Sequence, residues 1–481
     1  MRGFRRWPLY GLSAVAACTV TMVMTGPGSS ALAAPSSPST RAATVTAGPV
    51  SPTPASGTPH LVPTGSQDQV IRQLVQCGDT MYAVGRFTQL VSHGSTITRN
   101  NIVSFSATFP FTVTGWAPNV NGEVNSIAFN GTDCSNAYIG GQFTSVNGTA
   151  ANNIAEISTS TGAVATGFAD NASNTVDTLV VTPNGHLLVG GHFGTINGSN
   201  AHKYFASLNP VTGADDGFLN LKISGQYHFC NSTGKCAQVF PTQIYNQQLS
   251  HSGTLDLVEG VFTNVGGQPR QQIFMLNLTT NPATVTGWTS PEFDGSKGNV
   301  PGGYRYQCWW TESFYIRAAA WSPGDQTVYV AATGKEPWNQ PAGGTRTGLC
   351  DATTAFPATQ ASELHTWIDY TGCDSLYSAA ADASAVYVAG HPRWAQNSKG
   401  CNVQGPGAVP DAGLQGLKPA TGLALLNGSG TAGLYSMSRA NADDMLITSA
   451  GLWIGSTDRG DAQHCGGVGF HGGICFLPYS P

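Results

Sequence analysis

The sequence contains little that would form long helices. Only 10% of its 481 residues are charged, seven are glutamate, and no window repeats apolar residues at intervals of three and four opposite a Glu- and Lys-rich face. Glycine is abundant at 60 residues, and Asn, Thr and Ser crowd the spaces between short apolar runs. We therefore predict an all-β chain of many short strands joined by tight turns.

The chain also lacks an excess of basic residues. Its 21 Lys and Arg face 26 Asp and Glu, a net charge of −5. Loss of the predicted signal peptide described below would remove three Arg and bring the charge to about −8. Nucleic acids are bound largely through positive charge, so a nucleic-acid partner is disfavoured.

Long apolar runs are missing after the N-terminus. Residues 1–34 have three Arg, an apolar stretch and the small residues Ala31-Leu32-Ala33-Ala34, the layout of an export signal cleaved after Ala33 or Ala34. The alternative is a lipid anchor on Cys18. Residues 35–66 are rich in Pro, Ser, Thr, Ala and Gly and predict a disordered linker. No later segment has the roughly 20 apolar residues of a membrane span.

No Cys-x-x-Cys pair is present to indicate zinc or redox chemistry. Eleven cysteines become ten when Cys18 is discounted, and an even number in an exported chain predicts disulfides. The ten are Cys77, Cys134, Cys230, Cys236, Cys308, Cys350, Cys373, Cys401, Cys465 and Cys475.

A sequence motif recurs through residues 67–481. Its clearest copy is Ala137-Tyr138-Ile139-Gly140-Gly141-Gln142-Phe143-Thr144-Ser145-Val146-Asn147-Gly148, followed by Ile154 to Ile157 and Thr161-Gly162. One residue in each copy of this motif is equivalent to Tyr138, and we call these the mark residues. They lie 50 to 72 residues apart and are Tyr82, Tyr138, Leu188, Leu257, Tyr329, Tyr387 and Trp453. An apolar strand precedes each mark, so each unit is an antiparallel meander that needs identical neighbours to cover both faces. We predict one β-propeller of about seven blades, six or eight being the alternatives.

The Gly-Gly-x-Phe-Thr-x-Val-Asn-Gly phrase resembles the β-propeller repeats of secreted bacterial proteins of largely uncharacterised function, loosely akin to kelch propellers. The match is good over residues 70–287 and poor beyond. The resemblance implies the propeller fold and an extracellular location, but it carries no catalytic residue onto this chain.

Five long insertions fall on one predicted face. If the strands of a blade run A to D from the axis outward, the B–C and D–A loops share one face and the A–B and C–D turns share the other. Segments 219–240, 288–314, 334–362, 391–420 and 457–473 all belong to the first face, and eight of the ten cysteines lie in or beside them. Disulfides between cysteines 308 and 350, 373 and 401, 230 and 236, and 465 and 475 would cross-link these loops. Cys77 and Cys134 lie on neighbouring A–B turns of the opposite face. Sequence alone does not fix this connectivity.

Aromatic residues concentrate in the same insertions. We take Tyr306, Trp309, Trp310, Trp338, Arg393 and Trp394 as candidate ligand-binding residues, because flat rings stack on sugars or anchor protein partners. The alternative is that these rings are small buried cores beneath long loops.

Glu259 is the anomalous carboxylate, because its column in the repeats otherwise holds Val, Gly or Ala. With Glu292 and Glu312 it is a candidate catalytic residue for glycoside cleavage, which needs two carboxylates at a fixed separation. A buried structural ion pair with an arginine such as Arg317 is the competing interpretation.

The sequence favours a secreted propeller that binds a polysaccharide or a surface protein through its insertion-bearing face. A carbohydrate-active hydrolase or lyase is the alternative, and a mainly structural surface protein is a third. We expect a monomer with no cofactor and no metal.

Overall fold

The computed structural model describes residues 48–64, 69–226, 240–293, 315–334, 349–359, 361, 364–371, 375–390, 392–397, 404–410, 413–425, 442–458 and 472–480. Apart from one 3-10 turn, their regular structure is all strand. In chain order the first strands are β1 (His60–Leu61), β2 (Val70–Cys77), β3 (Thr80–Arg86), β4 (Gln89–Ser92), β5 (Ser95–Thr98), β6 (Ile102–Ser106), β7 (Glu123–Asn130), β8 (Asp133–Gln142), β9 (Ser145–Val146), β10 (Thr149–Ala150), β11 (Ile154–Ser158), β12 (Val176–Val181), β13 (Leu187–Gly191), β14 (Phe205–Leu208) and β15 (Ile223–Ser224).

The remaining elements are β16 (Gln243–Leu249), β17 (Leu255–Val261), β18 (Asn264–Val265), β19 (Gln268–Pro269), β20 (Ile273–Asn277), β21 (Thr284–Val285), the 3-10 turn Pro291–Phe293, β22 (Tyr315–Trp321), β23 (Thr327–Thr333), β24 (Ala352–Pro357), β25 (Trp367–Tyr370), β26 (Leu376–Ala381), β27 (Val386–Gly390), β28 (Trp394–Ala395), β29 (Val409–Pro410), β30 (Leu414–Leu417), β31 (Ala442–Thr448), β32 (Gly451–Ser456) and β33 (Ile474–Pro478).

Seven antiparallel meanders organise the described strands. They are β2-β3-β6, β7-β8-β11, β12-β13-β14, β16-β17-β20-β21, β22-β23-β24-β25, β26-β27-β30 and β31-β32-β33, here called blades 1 to 7. Each mark residue of the repeat lies on the middle strand of one blade and faces the following blade: Tyr82 packs in the cluster between blades 1 and 2, and Trp453 in the cluster between blades 7 and 1.

The blades form a closed ring. One hydrophobic cluster lies between each pair of neighbours in the described chain, and the first strands of consecutive blades pack together, including β31 of blade 7 against β2 of blade 1. Leu74 and Phe105 of blade 1 join Trp453 and Phe476 of blade 7 in the closing cluster. This radial packing confirms the predicted all-β propeller.

The repeated Asn-Gly pairs make the B–C hairpins. Asn147 and Gly148 have φ of 50° and 80°, and Asn197 and Gly198 have 47° and 84°. These are the positive values that a two-residue hairpin turn needs, as the repeat predicted.

The predicted linker requires a correction. Residues 48–64 lie within the segment 35–66, yet they pack along the outer edge of blade 7. The amides of Ser51, Ala55 and Leu61 donate to the carbonyls of residues 478, 476 and 472 at 2.7, 2.9 and 2.8 Å, and Val50 and Leu61 are buried. The N-terminal segment thus runs along β33 of the last blade through backbone hydrogen bonds, and its strand β1 pairs with β4.

Two predicted insertions are also shorter than expected. Segment 334–362 contains β24, the third strand of blade 5, and segment 391–420 contains β30, the third strand of blade 6. Both strands lack the repeat's phrase, which is why the pattern alone assigned them to loops.

Candidate functional site

A β-bulge interrupts the inner strand of every blade close to its start. In β2 the pairing passes from Ile71 opposite Gly85 to Gln73 opposite Val84, which leaves Arg72 as the extra residue. The seven extra residues are Arg72, Asn125, Asp177, Tyr245, Arg317, Tyr377 and Asp443. We call this set the mouth ring. Bulges re-aim side chains beside functional sites, and here all seven re-aimed side chains are polar.

Glycines of the repeat make room for these bulges. A Cβ on Gly141 would lie 2.1 Å from the Glu123 carbonyl oxygen, and one on Gly191 would lie 2.3 Å from that of Thr175. The second glycine of the Gly-Gly pair therefore lets the bulged inner strand approach its partner closely.

The mouth ring lies on the insertion-bearing face. Each inner strand begins after a D–A loop, and its first residues pair with the end of the second strand, where the B–C loop starts. Because inner strands surround the axis of a propeller, the ring marks the mouth of the central channel.

Ion pairs occupy the part of the mouth ring in blades 7, 1 and 2. Arg72 Nε lies 2.7 Å from Glu123 Oε1, and its Nη1 lies 3.4 Å from Asp443 Oδ1. Burial alone would lower the pKa of Arg72, but Asp443 and Glu123 outweigh it and raise that pKa. Arg86 adds a longer contact to Glu123, at 3.5 Å. The charge of Arg72 is thus neutralised within the protein.

Blades 2 and 3 continue this network. Asn125 Nδ2 donates to Asp177 Oδ1 at 3.1 Å, and His192 Nε2 lies 3.2 Å from Asp177 Oδ2. Burial raises the pKa of Asp177 and of Asp443, while His192 and Arg72 oppose the rise for the first and Arg72 and Arg317 oppose it for the second. Both side chains keep 19% of their surface exposed, as expected of groups that are crowded by protein but open to a narrow channel.

Blades 4, 5 and 6 present a different surface. The guanidinium carbon of Arg317 lies 5.3 Å from the ring centroid of Tyr377, a cation–π distance. The Tyr245 hydroxyl donates to the carbonyl oxygen of Ile316, beside Arg317. Arg317 is exposed, and it forms no salt bridge within the part of the chain that the structure describes.

Glu259 lies buried between blades 4 and 5. Its column needs small residues because a Cβ on the equivalent Gly140 would lie 2.4 Å from Cγ1 of Val176 in the next blade. The glutamate is 0% exposed and accepts a hydrogen bond from Asn246 Nδ2 at 3.2 Å. Burial raises its pKa to about 7, against the lowering effects of Asn246, the Ala319 amide and the charge of Arg317. Its burial agrees with the competing interpretation, but the predicted ion pair is not formed: Arg317 lowers the pKa of Glu259 through its charge and makes no salt bridge with it among the described residues.

Glu292 is also inaccessible. It is 3% exposed, and its two carboxylate oxygens accept from the His365 backbone amide at 2.9 Å and contact His365 Nδ1 at 2.7 Å. Glu259 and Glu292 are both buried, which gives no support to a catalytic role, and their assignment as catalytic candidates stays a prediction. Glu312 lies outside the described residues.

The predicted aromatic site is described only at its end. Tyr306, Trp309, Trp310 and Trp338 lie outside the described residues. Trp394 is half-buried, its amide and that of Arg393 both donate to the Thr371 carbonyl at 3.1 Å, and its own carbonyl accepts from Gln415 Nε2 at 2.7 Å. These contacts fix the start of β28 against the end of blade 5.

A disulfide joins Cys77 to Cys134, with Cα atoms 5.8 Å apart. It links the neighbouring A–B turns of blades 1 and 2 on the face opposite the mouth ring. Cys350 and Cys475 are disulfide-bonded as well. Cys230, Cys236, Cys308, Cys373, Cys401 and Cys465 lie outside the described residues.

The mouth ring was not predicted from the sequence. The available signal was the second glycine of the Gly-Gly pair, because glycine inside a strand indicates a bulge or close backbone approach. Among described residues no group of three or more His, Cys, Asp or Glu side chains could hold a metal ion. Nor does any helix in the described part of the chain have the length and apolarity needed to cross a membrane.

Comparisons with known proteins concern the fold. The chain matches no protein-family model and no curated protein. Solved structures similar to it include the RRP9 WD40 repeats (TM-score 0.45, 8% identity, covering 89% of this chain and 99% of that chain), U3-55K (0.43, 8%, 88% and 99%) and the WD40 propeller domain of Doa1 (0.42, 10%, 84% and 94%). The propeller assignment rests on the closed ring of blades itself.

Proposed function

We propose that this chain is a secreted, non-catalytic propeller that binds an extracellular polysaccharide at the mouth of its channel. The mouth ring carries the proposal. One bulge in each of seven blades presents a polar side chain at the same level of the same face, and that face also bears the long insertions.

The chemistry of the ring suits a sugar. Asn125, Asp177 and Asp443 supply hydrogen-bonding groups, while Tyr245 and Tyr377 supply rings with an apolar face and a polar edge. A few convergent polar groups in a concave site are typical of ligand recognition on a rigid scaffold.

A protein partner is less well supported by the described surface. Its exposed large hydrophobic residues are Phe109, Val211, Leu364 and Leu423, and each lies on a different C–D turn of the opposite face. Protein interfaces usually centre on a contiguous apolar patch, and these scattered residues do not form one.

Export is supported by two features. Residues 1–34 have the layout of a signal peptide, and the Cys77–Cys134 disulfide is the kind of bond that persists in oxidising compartments. A lipid anchor on Cys18 would leave the protein outside the cytoplasm as well.

Binding of a polysaccharide panel to the chain 35–481 tests the proposal. Tyr377→Ala, in the mouth ring, should weaken binding about tenfold, the usual cost of losing an aromatic anchor. Phe109→Ala is the matched control, because Phe109 is an exposed aromatic residue on the opposite face, and it should leave binding unchanged.

Two results would overturn the proposal. One is polysaccharide binding that Phe109→Ala weakens and Tyr377→Ala does not. The other is release of new reducing ends from any polymer in the panel, which would make the protein an enzyme.

A further inference from the structure

We infer that the polysaccharide is acidic and that Arg317 binds its carboxylate, an inference that rests on the proposed function. Arg317, Tyr245 and Tyr377 occupy equivalent bulges in three consecutive blades. They therefore form one arc of the mouth ring, with the arginine in the middle.

The two arginines of the mouth ring differ in their charge balance. Arg72 has 28% of its side chain exposed and contacts two carboxylates, at 2.7 and 3.4 Å. Arg317 is exposed and has no carboxylate within salt-bridge distance among the described residues. The charges of both arginines lower the pKa of Asp443, and Arg72 lowers it more than Arg317 does. Arg317 is consequently the cation of the ring that remains available to an anion.

The setting of Arg317 favours a carboxylate on a ring. A guanidinium presents a planar fork of N–H donors that matches a carboxylate with two parallel hydrogen bonds. Contact with the Tyr377 ring at 5.3 Å orients the side chain without using those donors. A tyrosine on either side offers a surface for the face of a sugar. A uronic acid unit combines the carboxylate and the sugar face in one residue.

Chemical reduction of the polymer's carboxylates tests whether the carboxylate itself is needed for binding. Polygalacturonate, alginate and hyaluronate would each be compared with the same polymer after reduction of its carboxylates to alcohols, in binding assays with the chain 35–481. We expect at least one acidic polymer to bind and its reduced form to bind at least about tenfold more weakly, the loss expected when a charge-assisted bidentate contact is removed. Added salt should weaken the acidic polymer's binding.

Arg317→Gln should reduce binding of the acidic polymer to the level of its reduced form, and Arg317→Lys should restore part of it. Arg86→Gln is the matched control, because Arg86 is half-exposed at the same mouth but already contacts Glu123. Thermal unfolding of each variant would establish that it is folded.

The outcomes separate this inference from the proposed function. If acidic and reduced polymers bind equally, and Tyr377→Ala weakens both while Arg317→Gln weakens neither, the carboxylate assignment is wrong and binding at the mouth stands. If neither substitution affects any polymer, or no polymer binds, both the inference and the proposed function fail.

Discussion

Glu259 shows how one residue can depart from its repeat and remain structural. It stands in a column that holds valine, glycine or alanine in the other blades, and it lies beside the small residue Ala319 of blade 5, which packs between blades 4 and 5. Its carboxyl group is fully buried, so the fold favours the protonated form and raises its pKa from 4.5 to about 7.

Glu259→Gln is therefore expected to alter the pH dependence of stability. Between about pH 4.5 and pH 7 the unfolded wild-type chain releases a proton that the folded chain retains, so the free energy of unfolding falls as pH rises. The loss should reach up to about 3 kcal/mol, from roughly 1.4 kcal/mol per pKa unit, and it should be absent in the Gln variant. Urea unfolding at several pH values measures it, and parallel stability curves for the two proteins would contradict the assignment.

At the scale of the strand, the bulges depend on their glycine partners. In blade 2 the Glu123 carbonyl occupies the space that a side chain at Gly141 would need. The bulge at Asn125 and the placement of Glu123 beside Arg72 both follow from that close approach.

Gly141→Ala should destabilise the protein by about 2 kcal/mol or more, because the added methyl group forces the two backbones apart. Gly167→Ala, in the loop that leads from blade 2 to blade 3, is the control: no atom lies within 4 Å of its added Cβ and its φ is not positive, so we expect a change within about 0.5 kcal/mol. Chemical denaturation compares the two. Equal effects would show that Gly141 is not needed for close packing.

The repeats predicted the strands well but not the mouth ring. The predicted apolar strand before each mark residue is the inner strand of its blade, and every mark residue lies on a middle strand, because buried apolar residues leave a clear pattern. The bulged residues are all polar but of different types, being Arg, Asn, Asp or Tyr. Their position is set by pairing with the neighbouring strand, which no local pattern reports.

At the scale of the whole molecule, the ring is completed by a segment that looks disordered in sequence. Residues 48–61 hold blade 7 mainly through backbone hydrogen bonds and through buried side chains that include Val50, Thr58 and Leu61. A Pro-, Ser- and Thr-rich composition is compatible with that role, because a segment held through its backbone needs few large apolar residues. Composition alone therefore placed the domain boundary too late.

Removal of this segment should weaken the whole propeller. A chain beginning at residue 62 loses two buried hydrophobic side chains and several hydrogen bonds, which together contribute about 5 kcal/mol. A chain beginning at residue 48 should match one beginning at residue 35. Denaturation midpoints of the three chains test this, and equal midpoints for the chains starting at 48 and 62 would show that the segment does not close the ring.

Binding at the channel mouth is tested most directly by hydrogen exchange of the chain 35–481 with and without a bound acidic polysaccharide. We predict slower exchange in peptides covering the starts of β16, β22 and β26, which carry Tyr245, Arg317 and Tyr377, and no change in the A–B turn around Cys134. Slower exchange confined to the A–B and C–D turns would place the ligand on the opposite face and contradict the account.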